Sequence, residues 1–411
     1  MSAPNRPAVT HRTSRVVSML PRRESVRPPR ILLYSHDTFG LGNIRRTLLL
    51  ADALRGAYPR AAVLIVTGSP VIQSFSLPAG VDYVKLPCLD RTDADKYSAR
   101  FINVDVAAIR RAIVTEAVVG FAPDLMVVDK RPSGIDGELL GALEALEGSA
   151  RRPKIVLGIR DILDAPDRTR ASLERSAAME TIERHYDEVW IYGEPAVFDA
   201  VREYDFPDSV ATKTHYCGYL KRPTLAGARA PGPPRVLVTA GGGADGATMV
   251  TAYLNDLLTL PRSIALETTV VFGPEMPPEC RDQARARFGS LADVTFVDFE
   301  LDMTSRYAEA DVVVSMAGYN TVCELLSFAR RAVLVPRTTP VLEQALRAQA
   351  LTALGYFEMV LPEDLRPGVL MDKVLETLAS DARPRPDIDL DGLPRILSRV
   401  RRLLGHEEPV A

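Results

Sequence analysis

The chain has 411 residues, of which 46% are hydrophobic and 25% are charged, and its formal net charge is -3. This length is sufficient for two domains with separate cores, and the composition is typical of a globular protein. The four cysteines are widely spaced without a CxxC pair, which argues against a zinc site and a disulfide framework and fits a reduced, cytoplasmic setting. No apolar run approaches the length of a membrane span.

The N-terminal segment carries a net positive charge, unlike the rest of the chain. Residues 1–30 contain seven arginines and one acid, Glu24, so this segment carries +6 and the remaining 381 residues carry -9. The segment is rich in Pro, Ser and Arg and has no helical or strand period, which predicts a disordered basic tail. An alternative is weak electrostatic contact with an anionic membrane, which would place the protein at the inner membrane face. No nucleic-acid partner is expected.

Apolar strand-like runs alternate with helical stretches in the first half of the chain. Strands are predicted at 30–35, 62–67, 124–129, 154–158 and 188–192, with helices at about 44–54 and near 170–185. Such alternation predicts a parallel sheet that is covered on both faces. We therefore expect a Rossmann-like domain over residues 31–220.

A second unit of the same kind follows a linker. Residues 221–234 hold four prolines and two glycines, which is typical of a connecting segment. Strands are then predicted at 235–240, 268–272, 294–297, 311–315 and 332–336, within a domain expected at 235–382. Residues 383–411 are predicted to form a connector and a C-terminal helix around 395–404. Two such units joined by a linker predict a cleft between them.

The second unit opens with a glycine-rich loop, Gly241, Gly242 and Gly243, between a strand and a helix at 247–255. Glycines allow the backbone to approach a phosphate, and the N-terminus of the following helix offers free N–H groups. The stretch also fits the dinucleotide pattern G-x-G-x-x-G, but that motif requires an acid at the end of the next strand. Glu267 precedes that strand, so a nicotinamide cofactor is not expected; a tight turn without ligand is the structural alternative.

A second concentration of motifs lies at 315–348. Ser315–Leu326 places a glycine turn before a helix, 332–337 is a strand that ends in proline, and 343–348 begins another helix with Glu-Gln. Polar residues lie at each strand-to-helix turn, where open α/β sheets bind ligands. This arrangement resembles the nucleotide-sugar donor site of GT-B glycosyltransferases. It is similar to the group that contains the N-acetylglucosaminyltransferase of peptidoglycan lipid-intermediate synthesis and many bacterial predicted glycosyltransferases.

The resemblance extends over about residues 31–380 in organisation, and its specific motifs lie mostly between 236 and 350. It implies that a Glu binds the ribose hydroxyls and that an aromatic residue lies beside the base. It also implies that the glycine loop contacts the diphosphate and that backbone amides after a glycine turn bind the donor. A Glu-Gln pair would bind the sugar. The donor-binding residues implied in this way are Gly241, Gly242, Gly243, Phe299, Gly318, Asn320, Thr321, Glu324, Glu343 and Gln344.

Two of these pairs have simpler structural interpretations. Thr321 and Glu324 fit a capping box, in which the acid reaches back to the N–H of the cap residue. Glu343 has the spacing for an ion pair with Arg347 one helical turn later, which would leave Gln344 exposed. Each motif is weak alone, but their common order along the chain makes the set specific.

The first glycine loop departs from the resembled family. The residue that follows Gly40-Leu41-Gly42 is commonly His in related proteins and is Asn43 here. Because an amide cannot act as the base that a transferase requires, His36 or Asp37 is the predicted catalytic group. Other polar residues at predicted strand ends are expected on the acceptor side of the cleft, with loop capping or ion pairing as the alternative role: Asp129 with Lys130 and Arg131, Arg160 with Asp161, and Glu194.

The sequence thus predicts an α/β protein with the GT-B fold, in which two Rossmann-like parallel-sheet domains face each other across a cleft. The resemblance implies an inverting, metal-independent glycosyltransferase that moves a sugar from a nucleoside diphosphate, with UDP as the expected nucleotide, to an unknown acceptor. No metal site and no cofactor are predicted. A nucleotide-sugar 2-epimerase of the same fold and a non-catalytic nucleotide-sugar-binding partner remain as alternatives.

Overall fold

A computed structural model describes most of the chain. The described residues are 27–36, 42–93, 96–99, 104–224, 231–261, 263–300, 302–380 and 388–405. The predicted site residues Asp37 and Gly40 lie outside these ranges, as do residues 1–26 of the basic tail and 225–230 of the linker. Arg27, at the start of the described chain, pairs with Asp124 at 2.8 Å.

Within the described residues, the first half forms a seven-stranded parallel sheet with the order β3-β2-β1-β6-β7-β8-β9, together with a small antiparallel pair, β4 and β5. Its strands are β1 Arg30–Ser35, β2 Ala62–Thr67, β3 Val81–Lys85, β4 Leu89–Asp93, β5 Lys96–Ala99, β6 Leu125–Asp129, β7 Lys154–Arg160, β8 Glu188–Tyr192 and β9 Thr214–Tyr216. Its helices are α1 Gly42–Ala57, α2 Ala107–Phe121, α3 Leu140–Glu147, α4 Pro166–Arg175, α5 Ala178–His185, α6 Ala200–Glu203 and α7 Asp208–Ala211.

The second half forms a six-stranded parallel sheet with the order β12-β11-β10-β13-β14-β15 in the described part of the chain. Its strands are β10 Arg235–Thr239, β11 Glu267–Val271, β12 Val294–Val297, β13 Val312–Ser315, β14 Arg331–Leu334 and β15 Glu358–Met359. The helices are α8 Ala247–Leu258, α9 Pro278–Phe288, α10 Thr304–Glu309, α11 Tyr319–Ser327, α12 Glu343–Ala353, α13 Val369–Ala379 and α14 Gly392–Leu403.

The strands form where the sequence has short runs of β-branched and other apolar residues. Ile31, Leu32, Leu33 and Tyr34 of β1 are each at most 2% exposed, as expected of a central parallel strand covered on both faces. Parallel pairing brings the carboxyl ends of the strands to one edge of each sheet. The residues that follow those ends are therefore the ones that the fold gathers at the cleft.

The structure refines two predicted helical regions. The stretch predicted near 170–185 is two helices, α4 and α5, because Ala177 between them adopts a left-handed conformation with φ of 47°. The C-terminal helix α14 returns to the first half of the chain. There, Arg399 donates hydrogen bonds to Glu188 of β8 at 2.7 and 2.8 Å.

Candidate functional site

A cleft of about 1120 Å³ lies between the two sheets, and residues of both halves line it. Most of the predicted site residues contribute to this lining: His36, Gly42, Asn43, Arg160, Gly241, Gly242, Gly243, Phe299, Gly318, Asn320, Thr321, Glu324, Glu343 and Gln344. They come from loops, strand ends and the first turns of helices that are distant in sequence, and the carboxyl-end edges of the sheets bring them together. Phe299, the predicted neighbour of the base, is 39% exposed.

The glycine loop between β10 and α8 leaves backbone donors available. Gly241 and Gly243 are left-handed, with φ of 65° and 100°, so the chain turns twice within three residues. As far as the chain is described, the N–H groups of Gly242 and Ala244 have no hydrogen-bond partner. Both residues line the cleft, so these N–H groups can serve an anion there.

The start of α11 faces this loop. A Cβ atom placed on either Gly241 or Gly318 would lie 3.9 Å from Thr321 Oγ1, so the two glycine turns converge on one hydroxyl. The N-terminal end of a helix carries a partial positive charge and unpaired N–H groups. The loop and the helix end therefore form a common site suited to a diphosphate.

Glu324 does not belong to a capping box. Helix α11 begins at Tyr319 with Gly318 as its N-cap, so Thr321 lies inside the first turn and cannot cap it. The carboxylate of Glu324 is directed across the cleft, where it forms an ion pair with Arg45 of α1. Its side chain is buried, which gives this charge a strong preference for a partner.

The side chain of Asn320 connects the two halves of the molecule. Its Nδ2 donates to Gly42 O at 2.8 Å, and its Oδ1 accepts a hydrogen bond of 2.6 Å from Arg222 Nη2. Asn320 thus fixes the first residue of α1 relative to α11. A role in donor binding would be left to its backbone, as the resemblance implies.

Glu343 lies in a cluster of arginines at the start of α12. Its Oε2 lies 2.5 Å from Arg160 Nη2 and 3.8 Å from Arg347 Nη2, and its Oε1 lies 3.2 Å from Arg337 Nη2. Burial opposes ionisation of Glu343, but the charges of Arg160 and Arg347 outweigh it and lower the pKa of the carboxyl. The predicted pair with Arg347 is present as one part of this larger cluster. Gln344 is buried rather than exposed, and its Oε1 accepts from Arg337 N at 3.0 Å.

His36 forms a hydrogen-bonded chain with Asn43, Arg46 and Asp129. Its Nδ1 lies 3.3 Å from Asp129 O, and because a carbonyl only accepts, Nδ1 carries the proton. Arg46 donates to Asn43 Oδ1 at 3.0 Å, which turns the Asn43 amide nitrogen toward His36 Nε2 at 3.4 Å. Burial and nearby positive charge lower the pKa of His36 well below its usual value, so the imidazole is neutral. Asp129 accepts hydrogen bonds from Arg46 Nε at 3.0 Å and from Arg46 Nη2 at 2.6 and 2.8 Å, and it is not among the cleft-lining residues.

Asp161 and Glu194 also lie away from the cleft, contrary to the expectation from strand ends. Asp161 is completely buried, where Arg347 donates to its two oxygens at 2.7 and 2.9 Å and Tyr219 donates at 3.0 Å. Glu194 accepts from the backbone N–H of Asp389 at 3.3 Å, in the segment that leads to α14. For both acids the structural role predicted as the alternative, ion pairing or loop capping, is the one that the geometry supports.

Three arginines near the cleft have roles that the sequence motifs did not assign. Arg45 and Arg46 project from the first turn of α1, and Arg222 lies in the predicted linker. The spacing of three residues between Asn43 and Arg46 places both on one helical face, which is the signal that could have linked them. No comparable local pattern marks Arg45 or Arg222, because their partners are far away in sequence.

The described ranges contain no group of three or more His, Cys, Asp or Glu side chains arranged to hold a metal ion. Nor do they include a helix with both the length and the apolar character to cross a bilayer.

Comparison with known proteins links this geometry to a family. Residues 236–390 match the model of the glycosyltransferase family 28 C-terminal domain. The UDP-N-acetylglucosamine--N-acetylmuramyl-(pentapeptide) pyrophosphoryl-undecaprenol N-acetylglucosamine transferase of Halorhodospira halophila is 32% identical over 188 residues, 43% of this chain and 51% of that protein. The chain thus matches about half the length of this relative.

Solved structures extend the likeness to the whole fold. MurG from Acinetobacter baumannii superposes with a TM-score of 0.57 at 14% identity, over 91% of this chain and all of the other. A putative UDP-N-acetylglucosamine 2-epimerase from Listeria monocytogenes gives 0.58 at 14% identity, over 92% and 97% of the two chains. The chain therefore has the two-domain GT-B fold, and the predicted resemblance to GT-B glycosyltransferases of the lipid-intermediate N-acetylglucosamine transferase group is confirmed.

Proposed function

We propose that this protein is a glycosyltransferase that transfers a sugar from a UDP-sugar to the hydroxyl of an acceptor. The observation that carries the proposal is the convergence of the glycine loop 241–243, Glu324 and the pair Glu343 and Gln344 on one cleft. The relative from Halorhodospira is, by its name, a transferase of N-acetylglucosamine from a UDP donor. UDP-N-acetylglucosamine is therefore the first donor to test.

In this proposal each group on the donor side has a distinct task. The N–H groups of the glycine loop and of the start of α11 receive the diphosphate and stabilise the charge that develops as it departs. The carboxylate of Glu324 accepts hydrogen bonds from the ribose hydroxyls, once Arg45 has moved aside. Glu343 and Gln344 bind hydroxyls of the sugar. Displacement is direct and inverting, and backbone dipoles take the place of a metal ion.

The first-domain side of the cleft favours an anionic acceptor. Arg131, Arg160, Arg168 and Arg175 all line it. The name of the Halorhodospira relative gives its acceptor a pyrophosphoryl group, whose charge such a lining would complement. An acceptor of this kind would bring the protein to a membrane surface.

A thermal-shift screen against UDP, dTDP, GDP and CMP sugars tests the donor assignment. A ligand that binds only the folded state stabilises it and so raises the melting temperature. At a ligand concentration of 100 times its Kd, the free energy of unfolding increases by about 2.7 kcal/mol. We expect UDP-N-acetylglucosamine to give the largest shift. If no UDP-sugar shifted the melting temperature, the proposal would be overturned.

Product analysis then separates three activities that share the fold. A glycosylated acceptor, or free sugar and UDP released in its absence, supports the transferase. Conversion of the sugar to its 2-epimer would instead identify an epimerase like the Listeria structural relative. Donor that binds and is recovered unchanged would identify a non-catalytic nucleotide-sugar-binding protein.

A further inference from the structure

Lys130 has an unusual position at the end of β6. It directly follows this strand, and its side chain lines the cleft. Its φ is 66°, in the left-handed region that residues other than glycine seldom adopt. The Lys130 N–H donates to Gly158 O of the adjacent β7 at 2.8 Å, which holds this conformation. Strained backbone of this kind is concentrated at functional sites.

Charged groups surround Lys130 from several elements. Arg160 at the end of β7 and Arg131 in the same turn are positive, whereas Glu343 on α12 and Asp129 on β6 are negative. The two carboxylates are already paired with arginines. Glu343 pairs with Arg160, and Asp129 pairs with Arg46 of α1. Within the described chain, Lys130 Nζ has neither a hydrogen bond nor an ion pair of its own.

This environment favours the neutral amine. Burial, reinforced by the charges of Arg160 and Arg131, lowers the pKa of Lys130 to about 7, and Glu343 and Asp129 only partly oppose the effect. A base is most effective when its pKa lies near the working pH. A lysine in this state is a weak anion binder and a competent proton acceptor.

The other cleft groups are less suited to accept a proton. The lone pair of His36 Nε2 is directed at the amide of Asn43, and the pKa of His36 is well below its usual value. Glu343 is held by arginines, and its pKa is lowered. Asn43, which stands where related proteins carry histidine, has no basic atom.

We propose that Lys130 is the general base that activates the acceptor hydroxyl, an inference that rests on the proposed transferase function. The acceptor O–H bond breaks as its oxygen forms the glycosidic bond to the anomeric carbon of the donor. The bond between that carbon and the phosphate oxygen breaks at the same time, and the nucleoside diphosphate leaves with the electron pair. The proton passes to Nζ, and the resulting ammonium returns it to solvent.

The state of the amine can be measured without an acceptor. Competitive labelling of the folded protein with trace acetic anhydride, from about pH 5 to 11, reports each lysine by peptide mass spectrometry. We expect Lys130 to gain reactivity with a midpoint near 7. Lys373, whose ammonium donates to Glu376 at 2.8 Å, serves as the internal control. This hydrogen bond raises the pKa of Lys373, so it should react only above the usual lysine value of about 10.4. A Lys130 midpoint equal to that of Lys373 would overturn the proposal.

Two substitutions separate a base from a fixed positive charge. We expect both Lys130→Met and Lys130→Arg to lower UDP release from UDP-N-acetylglucosamine by about 10²–10⁴-fold, with donor affinity by calorimetry nearly unchanged. The wild-type rate should fall as the pH falls through 7, because protonation removes the lone pair. Activity retained by Lys130→Arg, or lost in His36→Ala but not in Lys130→Met, would contradict the assignment.

The wild-type protein separates this inference from the proposed function. A wild-type protein that binds the donor yet releases no UDP would count against any catalytic base. Failure of the wild-type protein to bind the donor would overturn the proposed function itself.

Discussion

Several single side chains that line the cleft are already engaged with a partner. Glu324 is bound by Arg45, and Asn43 is held between His36 and Arg46. A ligand would therefore exchange existing contacts for new ones and would not fill an empty set of donors and acceptors. The free-energy gain from such an exchange is smaller than the strength of the new contact suggests.

The first prediction concerns Glu324. We expect Glu324→Gln to weaken UDP binding about 10-fold or more, because an amide cannot accept two hydrogen bonds from the ribose hydroxyls as a carboxylate does. Arg45→Ala is the matched control, since it removes the same ion pair and leaves the carboxylate in place. Isothermal calorimetry with UDP should show retained or increased affinity in the control. Equal losses in both variants would assign the effect to the contact between the domains.

The glycine loop shows how a local element combines structural and functional constraints. A Cβ atom on Gly243 would lie 2.5 Å from Phe272 O and 2.8 Å from Met276 N, and its φ is left-handed. Glycine is therefore required there by the fold, whether or not a phosphate binds. At Gly242 the nearest atom would be Glu275 Oε2 at 3.0 Å, the end of a flexible side chain that can move.

Substitution at Gly242 consequently tests ligand binding with little effect on the fold. We expect Gly242→Val to retain a melting temperature close to that of the wild type and to lose UDP affinity, because its side chain blocks approach of the diphosphate to the backbone. Gly243→Val should instead lower the melting temperature by several degrees. Circular dichroism and calorimetry on both variants check this difference. Full UDP affinity in folded Gly242→Val would remove the loop from the site.

The two domains are joined by a buried ionic contact beneath the cleft. Asp161 of the first domain and Arg347 of the second are at most 1% exposed on their side chains and lie 186 residues apart in sequence. Their bidentate pairing is supplemented by Arg347 Nη1, which donates to Ala317 O at 2.9 Å. Removing one partner of such a pair leaves an uncompensated buried charge, whereas replacing both by apolar groups is often tolerated.

The stability of the molecule should depend strongly on this pair. We expect Asp161→Asn to lower the free energy of unfolding by about 3–5 kcal/mol, and the double substitution Asp161→Leu with Arg347→Met to recover much of the loss. Denaturation in urea, followed by fluorescence, gives these values. Arg202→Ala, which removes an exposed pair with Glu203, is the control and should leave the free energy of unfolding nearly unchanged. A similar small cost for Asp161→Asn would show that the domains do not depend on the contact.

The parts of this protein that could be predicted from sequence are those encoded by neighbouring residues. Apolar runs such as 30–35 specify strands, and Gly241–Gly243 specifies a turn, because period and backbone freedom are local properties. The donor motifs at 315–348 belong to the same class, and the cleft gathers them as predicted. These local signals predict the fold and the motifs that meet at the cleft.

The state of each charged side chain depends on contacts that no local pattern contains. Asp129, Asp161 and Glu194 all follow or end strands, yet the structure buries or pairs each of them. Arg45 and Glu324 meet although 279 residues separate them. Electrostatic energy depends on distance and burial, which the packing of the two domains sets. Packing therefore also distinguishes Lys130 from the carboxylates around it: arginines hold those carboxylates, whereas Lys130 has no ion pair among the residues that the structure describes.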